Sequence, residues 1–268
     1  MMTPVGAGNK VLMIKIGPAG LGGQAITNIR YLKGIGIECA ELAFTRGVYL
    51  SNEKSKELGK EAEKLKFSLS IHAPYYINLT SEDPQKIKDS KKRIMESCER
   101  GHHATAKYIV FHPAYYGKLN KEKCYELVKK EIEELQELIK KNNFNVILCP
   151  ETTGKISQFG DIDELTKLSK QTGCGICVDF AHIYARNQGK INYDDVSKKI
   201  KDIKNLTAHF SGINYGLKGE KNHIPTPKEE AEKLLNSLNK NKINIRIINE
   251  SPQPVRDTLM MQGILGKL

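Results

Sequence analysis

Gly175-Ile176-Cys177-Val178-Asp179-Phe180-Ala181-His182 is the stretch on which the reading of this chain turns. A run of small and apolar residues goes straight into an aspartate, and a histidine follows three positions later. A parallel strand buried on both faces reads as such an unbroken apolar run. A carboxylate and an imidazole at its exit are both metal ligands. Taken alone, the plainer reading is the stronger one: the aspartate caps the next turn and the histidine packs nearby. The balance changes because the same pattern, apolar run then ligand, recurs along the chain.

Strand-like runs fall at 11–16, 37–44, 67–72, 107–112, 146–151, 175–179, 206–210 and 243–250. Helical patterns alternate with them at 24–34, 52–65, 84–101, 122–141, 161–171, 194–201, 228–238 and 255–263. In the fourth helix, Leu127, Ile132, Leu135 and Leu138 stand at helical spacing. A long loop is expected between the seventh strand and its helix. Strict alternation implies a parallel sheet with right-handed crossovers. Eight such units in 268 residues, with no Pro-, Gly- or Ser-rich linker, favour a closed (β/α)8 TIM barrel forming a single domain over 1–268.

The formal net charge is +11. Much of it is lysine mixed with glutamate, the usual solvated face of outer helices, yet the excess favours a polyanionic partner. No window approaches the roughly 18 continuous apolar residues of a membrane span. Residues 1–10 have no hydrophobic signal-peptide core, so no membrane partner and a cytoplasmic location are expected. The six cysteines then read as reduced thiols. Cys174 and Cys177 form a C-x-x-C without a second pair, which reads as strand packing.

In a (β/α)8 barrel the chemistry sits where strands end and the following loops begin. Here the third run ends at His72, the fourth at His112, the fifth at Glu151, the sixth at Asp179 and the eighth at Glu250, while the seventh carries His209. His182 and His223 lie in the loops after the sixth and seventh runs. Five of the seven histidines thus share one face; His102 and His103 fall on the opposite one and have no assigned role. Buried carboxylates must be paired or bind metal, and no lysine or arginine occupies those strand ends. Eight potential ligands exceed the four that one zinc ion takes, so two or three metals are implied. Such multinuclear sites suit phosphoryl chemistry.

Several segments together resemble the endonuclease IV family of apurinic/apyrimidinic endonucleases. They are Ser70-Ile-His-Ala-Pro-Tyr-Tyr-Ile-Asn-Leu79, Val110-Phe-His-Pro113, Pro150-Glu-Thr-Thr-Gly154, Cys177-Val-Asp-Phe-Ala-His-Ile-Tyr-Ala185 and Asn249-Glu-Ser-Pro252. The resemblance runs in order over essentially the whole chain. It implies a TIM barrel with zinc ions that hydrolyses damaged double-stranded DNA on the 5′ side of an abasic site. His72, His112 and Glu151 would surround one metal. Glu151, Asp179, His209 and Glu250 would surround a second, with Glu151 bridging, and His182 and His223 would hold a third. Glu151, Asp179 and Glu250 would be the catalytic carboxylates, and Arg46, Tyr75 and Tyr76 would probe the lesion. A monomer is expected.

The chain departs from the family pattern twice. Lys221-Asn222-His223 stands where the family has Asp-Arg-His, so an ammonium replaces a metal-binding carboxylate. The third ion is therefore expected to be partial or absent, with Glu220 one residue away as a substitute ligand, or with Lys221 itself binding a phosphate oxygen. After the seventh strand, His209-Phe-Ser-Gly-Ile-Asn214 replaces an Asn-Asp pair and a lysine. The rival reading is a xylose isomerase-like sugar isomerase or epimerase using Glu151, Asp179, His209 and Glu250. His72, His112, the basic charge and the tyrosine pair speak for DNA. A non-catalytic binder of damaged DNA is a third reading, supported by Lys221 alone.

Overall fold

The computed structural model describes residues 13–268. The start of the first expected strand and the whole of 1–10 lie outside these residues. The barrel strands are β1 (Ile14–Pro18), β2 (Cys39–Ala43), β3 (Ser68–His72), β4 (Tyr108–Phe111), β5 (Ile147–Pro150), β6 (Ile176–Asp179), β7 (Leu206–Phe210) and β8 (Ile245–Asn249). Around them run α1 (Ala25–Gly34), α2 (Asn52–Leu65), α3 (Pro84–His103), α4 (Lys121–Lys141), α5 (Ile162–Thr172), α6 (Phe180–Arg186), α7 (Tyr193–Ile200), α8 (Lys228–Lys240) and α9 (Pro254–Leu265).

Two parallel ladders, β2-β3-β4-β5 and β1-β8-β7-β6, make up the wall. Their edges meet at two seams. At one, Thr152 N–H donates to Cys177 O at 3.0 Å and Gly175 N–H to Leu148 O at 2.8 Å, joining β5 to β6. At the other, Gly20 and Leu21 N–H donate to Glu41 O, joining β1 to β2. Gly17 is required at that second seam, because a Cβ there would lie 1.9 Å from Cys39 O. The closed ring is the TIM barrel expected from the alternation of strands and helices.

The long outer helices bury one stripe each, as their spacing dictates, whereas the short α6 is buried nearly all round. In α4 the buried residues are Cys124, Tyr125, Val128, Ile132, Leu135 and Ile139. Ile132 and Leu135 lie on this face as anticipated. Leu127 is only partly buried and Leu138 is exposed, because Val128 and Ile139, four residues to either side of Ile132 and Leu135 respectively, continue the stripe. Asn120 caps this helix, and Asp161 with Glu164 forms a capping box on α5.

Two local features differ from the sequence expectation. The long loop after β7 is an antiparallel hairpin, Gly212–Gly216 paired with Gly219–Ile224. Its first strand alternates only Ile213 and Tyr215 between glycines and an asparagine, and its second, Gly219-Glu-Lys-Asn-His-Ile224, has no apolar alternation, so the pattern is too weak to announce it. Directly after β6, the short helix α6 begins, with Asp179 Oδ1 accepting from His182 N–H at 2.7 Å. Asp179 is therefore the helix cap of the plainer reading, and its other oxygen remains for chemistry.

Candidate metal centre

Strand exits on one end of the barrel surround a cavity of about 530 Å3 lined by His72, His112, His182, Glu220, His223 and Glu250, among others. Beneath it Glu151 is fully buried at the exit of β5. Its Oε2 lies 3.1 Å from His72 Nε2 and 3.0 Å from His112 Nε2. Its Oε1 lies 2.8 Å from His209 Nδ1 and 3.6 Å from His182 Nδ1. One carboxylate thus faces two separate sets of donors. His72, His112 and Glu151 form one group, and Glu151, Asp179, His209 and Glu250 another, the ligand atoms of each within 4.8 Å of one another. Cys177 also approaches Glu151 and His209, so the thiol read as strand packing lines the floor of the site.

Backbone carbonyls select the tautomers. His72 Nδ1 is 2.7 Å from Ala73 O, and His182 Nδ1 is 2.9 Å from Thr152 O. A carbonyl only accepts, so each Nδ1 carries its proton and each Nε2 points into the site. Asp179 Oδ2, His209 Nε2, Glu41 Oε1 and Glu220 Oε2 are buried without a hydrogen-bond partner. Leaving polar atoms unsatisfied is costly. Glu41 Oε1 and His209 Nε2 lie 3.1 Å from each other, whereas Asp179 Oδ2 and Glu220 Oε2, beside the histidine nitrogens, fit a cation that completes the set. Mixed imidazole and carboxylate donors suit zinc and related transition metals.

The electrostatics agree. Burial works against the charge of Glu151, yet the His209 and His112 imidazoles hold its carboxyl well below the usual range. Burial likewise opposes the charge of Glu250, which His209 holds down at about 2. Asp179 goes the other way: burial, with Glu151 and Glu250 nearby, raises it. His72 is driven down by burial but lifted to about 9 by its bond to Glu151.

The hairpin after β7 supplies a further carboxylate. Glu220 Oε2 is 2.8 Å from His182 Nε2, and the His182 and His223 rings are 5.5 Å apart. In the hairpin register Asn214 pairs with Asn222 and Tyr215 with Glu220, so Lys221 is an extra, bulged residue. A bulge resets the two-residue alternation, which lets Glu220 and His223, three apart, face the same histidine. Room for Glu220 comes from Gly154, where a Cβ would lie 2.2 Å from Glu220 Oε2. His223 Nδ1 is 2.6 Å from Ser211 Oγ. Lys221 lines the cavity but is exposed.

Tyr75 lines the cavity and is 53% exposed, while Tyr76, 65% exposed, faces an adjoining groove with Lys86, Arg93 and Tyr115. Arg46 is exposed on the loop after β2, outside the cavity lining, although Tyr75 N–H donates to Thr45 O in that loop. His102 and His103 close α3 at the far end, where His102 Nδ1 accepts from Asn145 N–H at 3.2 Å. Sequence reasoning missed Glu41, which is wholly buried on β2 and 3.1 Å from His209 Nε2. A glutamate inside the apolar run Cys39-Ala-Glu-Leu-Ala43 was the available signal.

Comparison with known proteins follows the same lines. Residues 29–259 match the model of the xylose isomerase-like TIM barrel family. An uncharacterized protein of Methanocaldococcus jannaschii is 34% identical over 97% of this chain and 100% of its own length. A probable endonuclease 4 of Mycoplasmopsis synoviae is 27% identical over 79% of this chain and 83% of its own. Among solved structures, endonuclease IV of Thermus thermophilus superposes with a TM-score of 0.71 at 17% identity, covering 95% of this chain and 100% of that one. A D-tagatose 3-epimerase-like protein reaches 0.71 at 17% identity over 94% and 96%. SacUVDE reaches 0.75 at 12% identity over 96% and 99%. At such identities these structures share the fold alone. By the family model, which matches most of its length, the chain belongs to the xylose isomerase-like TIM barrel family.

Proposed function

We propose that this chain is a metal-dependent endonuclease of the endonuclease IV type, hydrolysing the DNA phosphodiester bond 5′ to an abasic site. The observation that carries the reading is the group His72, His112 and Glu151, which stands beside a complete Glu151, Asp179, His209, Glu250 set. A single-metal sugar epimerase needs only the latter. The relatives named probable endonuclease 4 support the same choice, as do the exposed tyrosines at the mouth. One barrel domain suffices, because every residue in the proposal comes from one ring of strand exits and loops.

In this mechanism Arg46, Lys155 and Lys221 hold phosphates around the mouth, and Tyr75 and Tyr76 stack in the gap left by the missing base. An abasic nucleotide has no base to unstack, so its extrusion is cheap. His72, His112, Glu151, Asp179, His209 and Glu250 would hold two zinc ions, and His182, Glu220 and His223 a third. The chemistry bound zinc supplies is Lewis-acid polarisation of the phosphate and charge for the attacking and leaving oxygens. Glu151 keeps the two inner donor sets in register. Asp179 is fixed by its helix-capping bond, and Glu250 is held ionised by His209. Tyr75, whose phenol burial pushes up to about 12, stays protonated and donates.

The epimerase reading is the alternative, favoured by the completeness of the four-residue group and by the shared fold of the D-tagatose 3-epimerase-like protein. Metal-loaded protein incubated with a duplex carrying one abasic analogue, with intact duplex, and with free ketoses decides between them. Nicking confined to the 5′ side of the analogue is expected. Conversion of a ketose without any nicking would overturn the nuclease reading.

A further inference from the structure

Glu41 sits in the middle of β2 with no exposed surface. A buried carboxylate costs several kcal/mol unless it is paired, and its one ion pair among the described residues is with His209, Oε1 to Nε2 at 3.1 Å. Ser70, on the neighbouring strand β3, donates its hydroxyl to Oε2 at 2.7 Å and aims the group. His209 presents its other nitrogen, Nδ1, to Glu151 at 2.8 Å and to Glu250 at 3.3 Å. The ring therefore lies between the proposed metal position on one side and Glu41 on the other. The remaining neighbour, the Cys177 thiol, is held protonated by burial and supplies no negative charge.

We infer that Glu41 is the positioning residue of the centre: it accepts the Nε2–H of His209 and so fixes the tautomer whose Nδ1 lone pair faces the metal. The inference rests on the metal centre proposed above. An imidazole ligand carries one proton when neutral, and the group that takes that proton decides which nitrogen is free to coordinate. At 3.1 Å the two atoms are close but off the hydrogen-bond line, since neither has a hydrogen-bond partner. A small rotation of the ring aligns them once Nδ1 is engaged. The negative charge of Glu41 also makes His209 a stronger donor. Ser70 acts through Glu41, by denying Oε2 any other orientation.

The test is zinc affinity, read by competition with a chromophoric chelator, together with the visible spectrum of cobalt-substituted protein. Wild type, Glu41→Ala, Glu41→Gln and Ser70→Ala are compared, each checked for folding by circular dichroism. Glu41→Ala is expected to weaken the position that contains His209 by about 10–100-fold, the usual loss for an outer partner of a ligand histidine. The position that contains His72 and His112 keeps its affinity. Glu41→Gln, which retains an acceptor without the charge, falls between, and Ser70→Ala shows a smaller loss with a shifted cobalt spectrum. If Glu41→Ala does not fold, the isosteric Glu41→Gln carries the test. Folded variants with wild-type affinity and spectrum would overturn the inference while leaving the metal centre standing, as would equal weakening of both positions. A wild-type protein that takes up no zinc would overturn both.

Discussion

Glu151 is the residue on which the site depends. Its two oxygens face different donor sets, so Glu151→Gln is expected to lower both inner metal occupancies together. The loss should exceed the ~10–100-fold typical of an outer hydrogen-bond partner. Elemental analysis of chelator-free preparations checks it, and loss at one position alone would argue against a bridge. A second residue-scale expectation concerns pH in protein stripped of metal. Burial raises Glu220, but the His182 charge and hydrogen bond overcome it and hold the carboxyl at about 2. Its contribution is complete above the ordinary value of 4.5 and disappears as pH falls through about 2. His72, lifted to about 9, contributes fully below 6.5 and loses that contribution as pH rises through about 9. Thermal unfolding of stripped protein should therefore show highest stability between about 4.5 and 6.5. Glu220→Gln should reduce the acid-side loss without abolishing it, since Glu250 is also held at about 2. It should weaken the alkaline side as well, since Glu220 helps raise His182.

At the scale of elements, the hairpin after β7 decides how much of the centre exists. It is tied to the loop after β5: Glu220 N–H donates to Gly154 O at 3.1 Å, and Lys155 bridges Gly219. Gly154→Ala would place a Cβ 2.2 Å from Glu220 Oε2. It would also lie 2.8 Å from Glu220 Cβ, which moves only with the hairpin backbone, so both the Glu220 side chain and this edge of the hairpin are displaced, although Gly154 itself has no positive φ. The expected result is a small drop in melting temperature with loss of the ion held by His182 and His223. Gly219→Ala differs in kind. Its φ is +98°, and a Cβ would lie 2.0 Å from the backbone oxygen of Gly154. Backbone strain of about 1–3 kcal/mol follows, and the melting temperature should drop with it.

For the whole molecule the relevant quantities are the net charge of +11 and the placement of aromatic residues at one end. β3 and β7 stand opposite each other in an eight-stranded ring, so Tyr75 shares the mouth with Lys221 of the hairpin, while Tyr76 lines the adjoining groove. Changing both tyrosines to alanine should cost about 1–3 kcal/mol per stacked group on abasic duplex, and less on intact duplex. Equal losses on the two would mean that the pair does not recognise the lesion. Binding to either duplex should weaken at least about tenfold between about 50 and 200 mM salt, as counterion release requires. Fluorescence anisotropy measures both. Among the described residues no helix is long and apolar enough to cross a membrane.

The sequence by itself determined the barrel and most of its mouth. Alternating apolar runs and amphipathic helices admit few topologies, and strand exits are local features, so His72, His112, Glu151, Asp179, His209 and Glu250 were all legible in the chain alone. Only the tertiary structure decided how they combine. That Glu151 faces two donor sets depends on distances between strands far apart in the chain. Glu41 was hidden because one polar residue in a buried strand carries no sign of what it points at until β7 brings His209 to 3.1 Å. Lys221 shows a related limit: matching residues position by position assumes a constant register. The hairpin's bulge turns Lys221 out of phase and gives its place at His182 to Glu220. A bulge is settled by hydrogen bonds between two strands and by the space Gly154 leaves, and neither is written in the spacing of one segment.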